Sequence, residues 1–298
     1  MPNTLTNLKD IKVAQRALMP FMANLLPVTA FSTDFSPMPA DKLDTVRVPL
    51  VGAPSTSSDF TGDYAANADS TVTVVPVTLN RHKYKTVHVT ARESIETAMS
   101  VLETLVEAAA QQLAQDVLVD VFSCITTANF GAPGITALAA TAFDYKKVLS
   151  LRDACGIAKM PPNPRSLVLD SGYYTNMLAD DVVAKSFNLN LNAPAVTEGM
   201  VKRIAGFNLH ETTLIPSDHP EKLVGFAAHS SAVAVAMRYL QPVADYQQSG
   251  AVTDPVTGMT FGYLRFTDTR ANKIFVTLEC LYGFTAAKTD ALKRIVKP

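Results

Sequence analysis

From Ala91 to Asn129 the chain contains neither glycine nor proline, and Ile95, Ala98, Met99, Leu102, Leu105, Val106, Ala109, Leu113, Val117 and Val121 recur within it at spacings of three and four. That pattern predicts one long amphipathic helix. Thr90 and Glu93 stand just ahead as a T-x-x-E capping box, which would satisfy the first orphan amides. A helix over most of this stretch is about 45–50 Å long, more than the diameter of a small domain. Glu93, Glu96, Glu103, Glu107, Asp116 and Asp120 supply its solvated face. The alanine-rich middle, with no Lys/Glu pairing at e and g positions, argues against a heptad coiled coil.

The helix is fed directly by a β-rich segment. Residues 46–89 hold two β-stretches, VRVPLVG and TVTVVPVTLNRHKYKTVHV, on either side of the polar loop GAPSTSSDFTGDYAANADS. Val72, Val74, Val77 and Leu79 mark the alternation of an extended strand, and Pro76 requires an edge or a bulge. A two-stranded ribbon is marginal in water by itself, so this one is expected to reach a partner surface. Residues 1–45 offer one amphipathic stretch, Leu8 to Met22, then the proline-rich FSTDFSPMPADKLD. Together they suggest an extended arm, either disordered or docked against a neighbour.

Beyond Gly131-Ala132-Pro133-Gly134 the signals alternate. A short helix starts at Asp144, PPNPR at 161–165 is a break, and SLVLD at 166–170 is a strand followed by a helix near Tyr173 to Leu178. Short strands follow at 201–207 and 210–215. KLVGFAAHSSAVAVAMRY reads as a strand, then a helix or second strand. MTFGYLRFTD and KIFVTLECLYGF form a closing hairpin. The class is α+β.

Composition removes several functions. No apolar run reaches eighteen residues, so no membrane span is expected, and the start of the chain lacks the core of a secretory signal, which suggests an intracellular protein. A net charge of −1 argues against a protein that grips nucleic acid over its whole surface. Cys124, Cys155 and Cys280 are too few and scattered for a disulfide framework or zinc site and read as buried thiols. The five histidines show no metal-ligand spacing, the glycines make no phosphate-binding loop, and Ser230-Ser231 beside His229 lacks a nucleophile elbow. No catalytic, cofactor-binding or metal-ligating set emerges. RHKYK at 81–85, the densest basic patch, is either a solvated strand face or a contact for an acidic partner.

The order of arm, ribbon, long helix, central α/β region and closing hairpin resembles the major capsid proteins of tailed bacteriophages with the Hong Kong 97 fold. VTLNRHKYKTVHVTARE is similar to the E-loop return strand of the podovirus-like coat proteins, and TDPVTGMTFGYLRFTDTRANKIFVTLECLYGF to their C-terminal strand pair, ending at Gly283-Phe284. The resemblance implies an N-terminal arm over 1–45, an E-loop over 46–89, and a spine helix with the start of the peripheral domain over 90–160. It places a mainly axial domain over 161–239 and the C-terminal β part of the peripheral domain over 240–298. Segment 143–158 would also belong to the peripheral domain.

It further implies a virion shell of hexamers and pentamers around double-stranded DNA, assembled in the host cytoplasm. A separate scaffolding protein and a portal protein would be the partners. Inter-subunit contacts would fall to Leu18, Phe21, Leu25 and Leu26 of the arm, to the ribbon valines, to acidic Asp59, Asp63 and Asp69, and to basic Arg81, Lys83 and Lys85. Some members of the family crosslink through an E-loop lysine, but this chain has none between Lys42 and Lys83, so its shell should be non-covalent. An encapsulin-like nanocompartment is the rival with the same fold. A soluble α+β hydrolase with a spatially assembled triad is the rival from another class.

Overall fold

A computed structural model describes residues 14–34 (15, 22 and 24 excepted), 40–41, 45–51, 72–90, 93, 100–183, 201–241, 248–253, 259–270 and 272–298. A first helix, α1, has its described residues between 14 and 25. The elements after it are a 3-10 turn (Leu26–Ala30), β1 (Ser32–Asp34), β2 (Ala40–Asp41), β3 (Thr45–Val51), β4 (Val72–Thr78), β5 (Arg81–Thr90) and α2 (Ser100–Phe122). Next come α3 (Thr127–Phe130), α4 (Tyr145–Ile157), β6 (Arg165–Asp170), α5 (Ser171–Leu178), β7 (Arg203–Ile204), β8 (Phe207–Thr212) and β9 (Leu223–His229). The chain closes with β10 (Val233–Arg238), β11 (Gln248–Thr253), β12 (Thr260–Asp268), β13 (Lys273–Ala286) and β14 (Leu292–Val296).

The strands form a six-stranded sheet, ordered β1-β10-β13-β12-β11 with β5 also on β13, a five-stranded sheet β14-β9-β6-β8-β7, and a three-stranded sheet β2-β3-β4. Of the long helix expected between Ala91 and Asn129, α2 forms over Ser100–Phe122, and 91–92 and 94–99 lie outside the described residues. The capping box closes, with the Thr90 amide donating to Glu93 Oε2 at 2.9 Å and the Glu93 amide to Thr90 Oγ1 at 3.3 Å. The Thr90 amide first, and then the Thr90 hydroxyl donating to the same oxygen at 2.8 Å, hold the Glu93 carboxyl below its ordinary pKa. Val106, Ala109, Ala110, Leu113, Ala114, Val117, Leu118 and Val121 of α2 are buried against the six-stranded sheet. Leu105, expected in that stripe, is 40% exposed instead.

The main core lies between α1, α2 and one face of the six-stranded sheet, and extends onto the five-stranded sheet through Val168, Leu223, Phe226 and Ala228. Phe31, Phe122 and Phe226 meet at this junction, with ring centroids 5.1–5.9 Å apart. A second core on the opposite face of the five-stranded sheet is built by Phe143, Val148, Leu151 and Cys155 with Leu167, Leu169, Phe207 and Ala227. Asp144 caps α4, accepting from the Lys147 amide at 2.9 Å.

The two larger sheets exchange strands. β9 lies in the five-stranded sheet, whereas β10, four residues on, is antiparallel to β13 in the six-stranded one. At the C-terminus β14 returns to pair with β9. The helix at 143–158, expected with the spine helix, packs on the five-stranded sheet. The ambiguous SSAVAVAMRY segment is a strand, as its continuous Val/Ala burial requires.

A buried polar knot ties the end of α2 to β14. Arg294, 1% exposed, pairs with Glu221 and donates to Thr127 Oγ1 (2.9 Å) and the Gly131 carbonyl (2.7 Å). Glu221 accepts from the Thr127 amide at 2.6 and 2.7 Å, satisfying the start of α3. His219 Nε2 lies 3.3 Å from the Phe122 carbonyl at the end of α2, and its Nδ1 accepts from the Glu221 amide.

Candidate functional site: the ribbon and its root

β3 and β4 pair antiparallel without a register shift, from Thr45–Thr78 to Val51–Val72. Pro76 sits opposite Arg47 with no bulge; β4 is the edge of its sheet, where a missing N–H costs no ladder bond. The ribbon's root is covered by its own chain. Val46, Val48, Val77 and Leu79 are buried against Ala234 and Ala236 of β10. Farther along, Val74 is 50% exposed. The ribbon valines near the root are therefore core residues, not free contact residues.

The β-stretch read over 71–89, with its first turn at Asn80, is two strands in the structure, and the chain turns at Leu79-Asn80. There the Asn80 amide donates to the Thr78 carbonyl at 3.1 Å, a tight three-residue turn. The following β5 is a full member of the six-stranded sheet, paired with β13 from Thr90–Lys273 to Arg81–Tyr282. RHKYK consequently projects alternate side chains to opposite faces.

On the helix side, Lys83 Nζ is 2.9 Å and Arg81 Nη1 3.1 Å from Asp120 Oδ2 of α2. Lys83 also donates to the Asp116 carbonyl at 3.2 Å, the Tyr282 hydroxyl donates to Asp120, and Arg81 lies 4.8 Å over the Phe284 ring. Burial opposes charge on Asp120, but the hydrogen bonds from Tyr282 and Lys83 and the charges of Lys83 and Arg81 outweigh it, so its carboxyl is held below the ordinary range. Burial first, then Asp120, pushes the Tyr282 phenol far upward. Arg81 and Lys83, expected to face a neighbour, thus serve an intramolecular carboxylate that the helix pattern had assigned to solvent. Lys85 is exposed. On the other face Tyr84 is 67% exposed, and its place between two basic residues gave no apolar signal.

The arm residues are also redistributed. Phe21 and Leu25 are buried in this chain's main core and Leu18 packs partly against it; Phe21 is 5.0 Å from Phe261 of β12. Leu26 begins the 3-10 turn. The amphipathic helix covers this chain's own six-stranded sheet. Asp59, Asp63 and Asp69 lie outside the described residues.

His229 Nδ1 and Ser231 Oγ are 2.9 Å apart, but the Ser231 amide also donates to Nδ1 at 3.2 Å, so the pair caps the turn between β9 and β10. All three cysteines are buried; desolvation raises the Cys124 and Cys280 thiols to about 12 and Cys155 to about 11. Among the described residues no group of His, Cys, Asp and Glu could hold a metal ion, and no helix is long and apolar enough to cross a membrane.

No family model matches the sequence, and no curated protein matches it. Solved structures do. The capsid structure of the cyanophage P-SCSP1u is 12% identical, with 90% of this chain and 86% of that chain covered at a TM-score of 0.60. The capsid of Ralstonia phage GP4 is 12% identical over 90% and 89% at 0.59, and the mature capsid of bacteriophage PhiM1 is 10% identical over 90% and 86% at 0.56. At these identities the likeness is one of fold, and the mixed α+β fold of this chain is the fold of those phage capsid structures.

Proposed function

We propose that the chain is the major capsid protein of a tailed phage, a structural and non-enzymatic subunit that self-assembles into an icosahedral shell around the double-stranded DNA genome. The observation that carries this reading is the fold match to phage capsids over 90% of the chain, with a β-ribbon extending from an otherwise well-packed body. The Hong Kong 97 layout then assigns β3–β4 as the E-loop, α2 as the spine helix, the six-stranded sheet as the peripheral domain and the five-stranded sheet as the axial domain. The strand exchange through β10 and β14 makes these two domains interdependent.

In this reading the subunits meet as hexamers and pentamers, guided by a separate scaffolding protein and a portal, and the DNA is contained without sequence readout. Asp59, Asp63 and Asp69 on the ribbon loop would face basic groups of a neighbour. Lys85 is the better basic candidate, since Asp120 engages Arg81 and Lys83. Exposed ion pairs are worth about 0–1 kcal/mol each, so they set register while apolar contacts such as Val74 and Tyr84 give strength. Many modest, simultaneous contacts stabilise a closed shell.

Expression of the full chain, alone and with its genomic neighbours, followed by negative-stain electron microscopy, tests the reading. Polyhedral shells or isolated hexamers and pentamers are expected. A 32 kDa monomer under every condition overturns it.

A further inference from the structure

Gly283 belongs to β13, directly beside the turn that joins ribbon to body. A Cβ at this position would lie well inside contact distance of the Thr78 carbonyl oxygen, 2.7 Å from the carbonyl carbon and 3.2 Å from the Leu79 Cα. Those atoms are backbone, so no side-chain rotation relieves the clash. Thr78 and Leu79 also form the turn, through the Asn80 amide bound to the Thr78 carbonyl. The next residue on each side completes the arrangement: Arg81 begins β5, and its guanidinium is held between the Phe284 ring and Asp120.

We infer that Gly283 is the positioning residue that sets the angle at which the β3–β4 ribbon leaves the subunit, with Arg81, clamped between Phe284 and Asp120, holding that angle narrow. β13 is the fixed partner in this contact, since it is paired with β5 along one edge and with β10 and β12 along the other. The ribbon, whose buried contacts among the described residues lie at its root, is the part that yields. Restoring ordinary contact around an added methyl requires about 1 Å of displacement at the seat. Carried along a strand of seven residues, about 20 Å, that displacement becomes a tilt. The consequence for shell geometry rests on the capsid reading; the seat itself does not.

The test uses the full chain with nitroxide labels on Val74→Cys, on the exposed part of the ribbon, and Ala108→Cys, on the exposed face of α2. The native cysteines are buried, and unlabelled protein dilutes the sample so that dipolar spectroscopy reads intramolecular pairs only. A narrow distance is expected for the parent. Gly283→Ala should keep the parent circular dichroism and move the mean by about 2–5 Å. Gly250→Ala, with nothing near its added methyl, should leave the distance unchanged. Arg81→Gln should keep the mean and broaden the distribution. A Gly283→Ala distribution superimposed on the parent's overturns the inference. If Gly283→Ala does not fold, Arg81→Gln and Phe284→Leu decide: parent-like widths in both overturn it. Failure of the parent to form shells defeats the capsid reading and leaves the distance result standing.

Discussion

Lys83 Nζ stands 2.9 Å from Asp120 Oδ2, joining the strand after the ribbon to the last turn of the long helix. The Asp120 side chain is 18% exposed, and its carboxyl pKa is depressed by the net effect of Tyr282, Lys83 and Arg81 against desolvation. A depressed carboxyl contributes stability that is complete above the unfolded pKa, about 3.9, and lost as pH falls through the lower folded value. Asp120→Asn should cost about 1–2 kcal/mol at pH 7, because Lys83 and Arg81 are exposed enough to regain water. Urea midpoints at pH 7 and pH 3 measure this. A deficit that persists undiminished at pH 3 contradicts the charged role.

The histidines set the response at milder acidity. His219 is shifted down by burial and by nearby Arg294, against the opposing influence of the Phe122 carbonyl and Asp218. His210 and His229 are lowered too, by desolvation first. The unfolded state therefore binds more protons, and stability should fall as pH drops below about 6.5 toward the folded pKa values, then level off. His219→Gln, whose amide can still donate to Phe122, should flatten that slope. Chemical denaturation at pH 7, 6 and 5 reads the difference between parent and variant, and parallel curves reject the assignment.

Arg294 tests the polar knot between β14 and the start of α3. It is 1% exposed and holds Glu221, Thr127 and the Gly131 carbonyl together. Arg294→Met preserves apolar volume but leaves Glu221 without its cation and Gly131 without a donor. The expected loss is about 3 kcal/mol, and Arg294→Lys should recover only part because one ammonium cannot span the same fork. Equal stability of Arg294→Met and parent would show that packing, not the ion pair, holds this junction.

α2 and the Thr90–Glu93 capping box were legible because both are local: Thr90 and Glu93 are three residues apart, and the stripe from Val106 to Val121 repeats within the helix. The paired VRVPLVG and TVTVVPVT segments were legible from alternation. Partnerships across the chain were not. Nothing near Val233 indicates pairing with Ala286, nor near Leu292 with Ala228, so the exchange of β10 and β14 between sheets could not be read from their own composition. Asp120 fits a polar helix face equally well whether water or Lys83 meets it. The ribbon-loop aspartates remain a sequence expectation awaiting an interface.

Phe21 separates two roles that an amphipathic segment can play. A helix that docks only on a neighbouring copy contributes nothing to the isolated chain, whereas Phe21 is fully buried in this chain's own core, 5.0 Å from Phe261. Removing such a ring leaves a cavity as well as losing its burial, and Phe21→Ala should cost about 3–4 kcal/mol. Met19, two residues away and 76% exposed, provides the control; Met19→Ala should change stability by less than about 0.5 kcal/mol. Denaturation of unassembled chain measures both. If Phe21→Ala unfolds at the parent midpoint yet no longer assembles, the helix belongs to the neighbour; if it loses stability before any assembly, the helix is part of the subunit's own folding unit and only the segment preceding it is left to act as an arm.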